Sequence, residues 1–222
     1  MFTRQTVGVI GAGRIGAAYA KTMVEGFKMD LVYFDTHRNR ELENRVREYS
    51  SFLISQGEAP VSVTLASTVD EVLEKADVVS LHPLLDETTR HLINEERLNL
   101  MKANAVLVNT ARGPVIDEAA LVAHCQKNSE FKAGLDVFEE EPKMKPGLSA
   151  LQNVVVVPHI ASATRWTREA MATLAASNVA AILQGWPVST DPNRILEFLE
   201  DPAPRAAPSI INAEELGLPT LE

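Results

Sequence analysis

Apolar and polar positions along the chain alternate between two rhythms. Short runs rich in β-branched residues, at 6–10, 31–34, 61–65, 78–81, 105–108, 132–135 and 154–157, predict strands. The Val-Leu-Val-Asn109 and Val-Val-Val-Val157 runs are apolar at successive positions. That suits a parallel sheet covered by helices on both faces rather than a half-solvated antiparallel one. Between the runs the period lengthens. A helix is predicted from Arg14 to near Gly26, and another from the cap Ser67-Thr-Val-Asp70 to about Ala76. Asn94, followed by two glutamates, opens a third, and Asp117-Glu118 opens the helix that contains Cys125. Such alternation implies βαβ units with right-handed crossovers. After Val157 the pattern changes. Residues 163–184 read as one long alanine-rich helix closed by Gly185, with Trp166, Ala170, Met171, Leu174 and Ile182 at helical spacing. From Pro187 onward, 6 of the 12 prolines fall in the last 36 residues, which predicts an extended or partly disordered tail. Trp186, just before it, is a candidate exposed patch.

Composition narrows the partners. The 222 residues are 45% apolar and 23% charged, enough for one large or two small globular domains. Lys plus Arg is 21 and Asp plus Glu 30, a net charge of −9. That excess argues against a sequence-independent grip on nucleic acid or on an anionic membrane, both of which need a basic face. No apolar run is long enough to span a bilayer. A single cysteine, Cys125, excludes an internal disulfide framework and a Cys-based zinc site, and no metal site is expected.

The most informative stretch is Val7-Gly-Val-Ile-Gly11-Ala-Gly13-Arg-Ile-Gly16, which fits G-x-G-x-x-G between a predicted strand and a predicted helix. Gly11 allows a tight turn, Gly13 lets backbone approach a pyrophosphate, and Gly16 lets helix and strand pack closely. Arg14 and Ile15, inside the same loop, offer N–H groups at the helix start and join the candidate cofactor-binding set. The second strand ends near Asp35, whose carboxylate suits the hydroxyls of an adenosine ribose and repels a 2′-phosphate, a lean to NAD over NADP. His37, Arg38 and Arg40 follow and soften that lean. The plainer alternative is that the glycines only make a turn and Asp35 caps a helix. Together these features predict an α/β, Rossmann-type doubly wound parallel sheet with a long C-terminal helix and extended tail.

Three polar residues stand beyond successive predicted strands, where open α/β sheets place ligands: Arg112 after Val-Leu-Val-Asn109-Thr110-Ala111, Glu141 in Asp136-Val-Phe-Glu-Glu-Glu141-Pro142, and His159 in Pro158-His159-Ile-Ala161. Taken singly, each is more ordinarily a loop cation, a surface charge or a structural histidine. Their joint placement beside a dinucleotide turn favours function.

These strings, with Met23-Val-Glu-Gly-Phe-Lys-Met29, Ser80-Leu-His-Pro-Leu-Leu85, Asn109-Thr-Ala-Arg-Gly-Pro-Val-Ile-Asp117 and Asp191-Pro-Asn-Arg194, make the chain resemble the D-isomer-specific 2-hydroxyacid dehydrogenases over nearly its whole length. Within them it is most similar to the hydroxypyruvate reductases (glycerate dehydrogenases) of photorespiration. The resemblance implies NAD(H)-dependent reduction of hydroxypyruvate or glyoxylate to D-glycerate or glycolate. It assigns Arg112 to the substrate carboxylate and C2 carbonyl, His159 to proton transfer, and Glu141 to pairing with that histidine. Glu139 and Glu140 would then be surface residues. Asp136 matches a position near the nicotinamide ribose; His82, Pro83, Asn109, Thr110 and Ala111 match cleft-lining positions, as do His159 itself and Ala161 near the nicotinamide.

The family builds its substrate domain from an N-terminal segment plus the end of the chain. Here the first predicted strand begins a few residues after Met1, so that segment is expected to be missing. Residues 1–162 would form the NAD-binding domain and 163–222 a helix and tail of an incomplete substrate domain. On this expectation the chain alone binds NAD(H) with little turnover, as a cofactor-binding fragment. An NADH-sensing interaction protein, like the transcriptional corepressors of the same fold, is the alternative of a different class; the Leu-His-Pro-Leu-Leu85 and Asp191-Pro-Asn-Arg194 strings speak against it. The resemblance further implies a homodimer, a small 2-oxo or 2-hydroxy acid as substrate, and a peroxisomal or cytosolic setting. The chain ends Gly-Leu-Pro-Thr-Leu-Glu222, without a Ser-Lys-Leu-type peroxisomal signal.

Overall fold

The computed structural model describes residues 3–189, 210, 213 and 215–221. In Thr6–Ile10 (β1) the side chains alternate across the strand, so Val7 and Val9 enter one apolar layer and Ile10 the other. The sheet continues through Asp30–Phe34 (β2), Val63–Leu65 (β3), Val78–Leu81 (β4), Val106–Asn109 (β5), Lys132–Leu135 (β6) and Val154–Val156 (β7). All seven pair in parallel, in the order β3-β2-β1-β4-β5-β6-β7. This is the expected doubly wound α/β sheet. β1, β4 and β6 have the expected bounds, while β5 lies one residue further on and so ends at Asn109.

Helices cover the two faces separately. Arg14–Phe27 (α1) and Arg40–Ser55 (α2) bury Ala20, Val24, Leu42, Val46 and Leu53 against Val7, Val9, Leu31 and Tyr33. Val69–Lys75 (α3), Glu95–Leu98 (α4) and Glu118–Lys127 (α5) bury Val72, Leu98, Leu121 and Cys125 against Val32, Leu81, Leu107 and Leu135. On β7, Val155 is 68% exposed. One helix has no counterpart in the sequence reading. α2 is highly charged, and its apolar stripe is one residue wide, at Leu42, Val46, Tyr49 and Leu53; Asn39 caps it by accepting the Leu42 N–H at 2.9 Å. The cap of α3 is Thr68 rather than Ser67, whose N–H instead donates to the Glu71 carboxylate at 2.8 Å.

The chain divides into two compact units, Met1–Ile160 and Ala161–Glu222. In the second, Arg165–Gln184 (α6) is capped by Thr164 and stopped by Gly185 at φ 67°, a conformation that suits glycine. Val188–Ser189 (β8) and Thr220–Leu221 (β9) pair in parallel. Trp186 is not the exposed patch expected of it: it packs, partly buried, with Ala181, Val188, Ala213, Ile210 and Leu218. Exposed apolar side chains lie on α6 instead, at Trp166, Ile182 and Leu183. The proline-rich stretch 190–209, with Asp191-Pro-Asn-Arg194, falls outside the described residues.

Candidate active site

Strand order reverses at β1, whose two neighbours β2 and β4 lead to opposite ends of the sheet, and the crevice of such a sheet opens beyond the C-terminal strand ends. There the turns after β1 and β4 press together: His82 N–H donates to Ile10 carbonyl at 2.7 Å, and a Cβ on Gly11 would stand 2.7 Å from the His82 carbonyl. Gly11 adopts φ 89°. A Cβ on Gly16 would lie 1.9 Å from the Gly11 oxygen, so only glycine lets α1 start so close to the strand. Gly13, by contrast, faces open space. α2 through α6 carry side-chain caps at Asn39, Thr68, Asn94, Asp117 and Thr164; α1 has none and no acid in its first turn. Its N–H groups and positive dipole end are left to a ligand, the environment a pyrophosphate requires. Arg14 and the 72% exposed Ile15 lie at this start.

A cavity of about 710 Å³ opens beside this turn, walled by residues that include Gly11, Gly13, Asp35, Ser67, His82 and Pro83. Asp35 does two jobs. Its Oδ2 accepts the Ala12 N–H at 2.6 Å and its Oδ1 the His37 N–H at 2.8 Å, which ties β2 to the glycine turn. Oδ1 also takes a long contact from Thr36 Oγ1 at 3.4 Å, and Oδ2 keeps a second lone pair for a ribose hydroxyl. The residues therefore fit a dinucleotide. His37, Arg38 and Arg40 are all exposed, and Arg38 is turned onto Glu43. His82, whose ring contacts Ser80 Oγ at 2.9 Å and tilts on Tyr19, has its pKa pushed down by burial.

Further along the same edge the register aligns Leu81 with Asn109, Asn109 with Leu135 and Leu135 with Val156. Asn109 is buried: it accepts the Ala111 N–H at 3.0 Å and donates to the Arg112 carbonyl at 3.0 Å, so it shapes the loop rather than lining the cavity. Thr110, Ala111 and Arg112 follow on that loop, with Thr110 and Arg112 exposed. Gly113 makes the next contact possible, since a Cβ there would be 1.8 Å from the Phe138 oxygen. This approach brings Arg112 to Glu141. The Glu141 carboxylate is held below its ordinary range by the His159 hydrogen bond first, and by the Phe138 N–H and the His159 and Arg112 charges after it. Its Oε2 lies 2.9 Å from His159 Nδ1, and its Oε1 accepts the Phe138 N–H at 3.2 Å.

His159 sits at φ 53°, which a non-glycine residue adopts only when held. Asp136 does the holding. Its carbonyl accepts the His159 N–H at 2.9 Å, and its buried carboxylate accepts the Ile160 N–H at 2.6 Å. The Asp136 carboxylate thus supports the histidine turn from within. Ala161 follows as the first residue of the second unit.

Two positions were missed or misread. Glu139 is not a surface residue: its side chain is 9% exposed, 2.9 Å from His91 Nε2 and within ion-pair reach of Arg90 and Lys145. Glu140 is exposed, paired with Lys145. Glu118, read only as a helix opener, is buried, and its two oxygens accept the Glu139 and Lys145 N–H groups at 2.9 Å each, clasping both ends of the loop that carries Glu141. Among the described residues no three His, Cys, Asp or Glu side chains gather as metal ligands, and no helix is long and apolar enough to cross a membrane.

A parallel sheet in this order with an uncapped glycine turn at its switch point has the architecture of a dinucleotide-binding domain, with Arg112, Glu141 and His159 on the same edge. Residues 1–161 match the D-isomer specific 2-hydroxyacid dehydrogenase, NAD binding domain, and the chain belongs to this family. It is 60% identical over 217 residues to a peroxisomal glycerate dehydrogenase of Arabidopsis thaliana, covering 97% of this chain and 56% of that protein. It is also similar to D-lactate dehydrogenase of Aquifex aeolicus, solved with NAD and lactic acid, with TM-score 0.69, 33% identity and 83% of this chain covered against 55% of that one. An NADPH-dependent glyoxylate/hydroxypyruvate reductase of Sinorhizobium meliloti, solved with NADP and malonate, gives TM-score 0.70 and 31% identity over 83% of this chain and 51% of that one. The chain spans about half the length of the curated relatives it matches.

Proposed function

We propose that this chain forms the cofactor-binding half and the proton-transfer pair of an NAD(H)-dependent reductase of hydroxypyruvate or glyoxylate, yielding D-glycerate or glycolate. The observation that carries this reading is the 2.9 Å contact of His159 Nδ1 with Glu141 Oε2, on the strand-end edge that also holds Arg112. Glu141, kept ionised by that contact, accepts a proton-bearing Nδ1, so Nε2 is the nitrogen that exchanges a proton with substrate. The guanidinium of Arg112 holds the substrate carboxylate and polarises its C2 carbonyl. NADH, which the Gly11–Gly16 turn and Asp35 would hold, would supply the hydride for C2. His159 Nε2 gives its proton to the developing alkoxide, and takes one back in the reverse direction. Glu141 keeps the ring oriented and offsets its positive charge while it is protonated. Asp136 keeps the backbone of the histidine turn in place. Hydroxypyruvate and glyoxylate suit Arg112 as short 2-oxo acids. The names of two relatives, glycerate dehydrogenase and glyoxylate reductase, support the same substrates.

The test is the hydroxypyruvate-dependent loss of reduced-nicotinamide absorbance, measured on this chain and on this chain extended to its relatives' length. The extended protein is expected to turn over, and His159→Ala to lower kcat about 10²- to 10⁴-fold, the range for loss of a general acid. An unchanged rate in His159→Ala, or no rate in the extended protein, overturns the proposal.

A further inference from the structure

Three residues beyond Asp35, Arg38 carries a guanidinium suited to a phosphate, yet it is committed elsewhere. Its Nε donates to Glu43 Oε1 at 2.9 Å and its Nη2 to Glu43 Oε2 at 2.8 Å, fork on fork. Glu43, in the first turn of α2, is 2% exposed. Tyr33 Oη donates to it at 2.8 Å and Arg47 Nη2 at 2.8 Å. The Asn39 N–H donates to Tyr33 Oη at 3.1 Å, and Asn39 Nδ2 to the Ala12 carbonyl at 2.8 Å, which anchors the whole network to the glycine turn. The wall of the dinucleotide cavity includes Asp35 and Thr36 but not Arg38.

We infer that Glu43 is a specificity-determining residue: it locks Arg38 away from the ribose and so helps Asp35 hold the site to the unphosphorylated dinucleotide. A guanidinium fork serves one planar acid at a time, and a buried carboxylate with well-made hydrogen bonds outcompetes a phosphate at the cavity mouth. Asp35 repels a 2′-phosphate; Glu43 withholds one of the cations that would offset that repulsion, the Arg38 guanidinium. Both halves of the family's cofactor range occur among solved relatives, NAD in one and NADP in another, so the choice lies in such side chains and not in the sheet. The inference rests on the reading of the cavity as a dinucleotide site.

The experiment is a double-mutant cycle read by fluorescence titration with NADH and with NADPH. Arg38→Ala is expected to leave both dissociation constants within about twofold of wild type, because the locked side chain contributes nothing to either, whereas Glu43→Gln frees Arg38 and tightens NADPH binding about tenfold, the equivalent of one new charge-assisted contact. In the double variant that gain disappears. Should Glu43→Gln fail to fold by circular dichroism, Glu43→Asp carries the same expectation, being too short to meet both guanidinium nitrogens. Weaker NADPH binding in Arg38→Ala alone overturns the lock, because the arm would then already reach the phosphate. So does unchanged NADPH affinity in a folded Glu43 variant. Wild type that binds no NADH overturns the dinucleotide reading and the lock with it, a distinct result.

Discussion

Replacing Glu118 by alanine should disturb the proposed proton-transfer pair without touching it. The buried Glu118 carboxylate accepts two backbone N–H groups, from Glu139 and Lys145, at 2.9 Å each. A hydrogen bond to a charged group contributes about 1.5–3 kcal/mol, and the two share one acceptor group and are not additive, so the variant should lose roughly 3–4 kcal/mol of stability. The carboxylate of Asp117, the neighbouring cap, accepts the Ala120 N–H of its own helix; Asp117→Ala should cost about 1 kcal/mol. Beyond stability the two variants diverge. Glu118 holds the loop on which Glu141 meets His159, whereas Asp117 holds none of it. Urea unfolding gives the stabilities, and ¹⁵N chemical shifts of the His159 imidazole give the share of ring carrying its proton on Nδ1. Glu118→Ala should lower that share while Asp117→Ala leaves it as in wild type. A folded Glu118→Ala protein with wild-type His159 shifts would refute the reasoning, showing that the Glu141–His159 contact stands without the clasp.

Gly16→Ala should abolish NADH binding in a fluorescence titration, since the added Cβ would sit 1.9 Å from the Gly11 oxygen and force the turn open. The Glu43 carboxylate is held down to about 2, by the Arg38 hydrogen bonds above all. Its pKa is below the ordinary carboxylate value in the folded chain, so the stability it supplies is complete above that value and lost as the pH falls toward about 2. Stability against pH in denaturant melts should therefore fall less steeply on the acid side in Glu43→Gln than in wild type. The Cys125 thiol is buried and pushed up to about 11, so a thiol reagent near neutral pH should label it only on unfolding; fast labelling of the native protein would contradict the packing of α5.

What a reader of the sequence sees, and what stays hidden, divides along a physical line. The glycine turn is legible because backbone demands are local: a tight turn, a close helix start and an open approach each need glycine within six residues. The strands are legible because runs apolar at successive positions have few other uses, and the long helix because Gly185 stops it. Arg112, Glu141 and His159 are legible as strand-end residues, and the fold sets them on one edge. α2 is less so, because a helix whose apolar stripe is one residue wide looks like a charged loop.

Charge partners are the least legible. Glu139, Glu140 and Glu141 are adjacent and chemically alike, yet one is buried against His91 from 48 positions away, one is solvated, and one meets a histidine 18 positions on. Nothing local separates them; the strand ends that bring these groups together do. Arg38 shows the same in reverse. Its place beside Asp35 suggests a phosphate clamp, and only burial of Glu43 beneath Tyr33 reveals that its fork is already filled. The side chains proposed to set cofactor choice and proton transfer are therefore of two kinds. Those that would touch a ligand follow from motif position, and those that hold them in place follow from which polar groups the packed sheet removes from water.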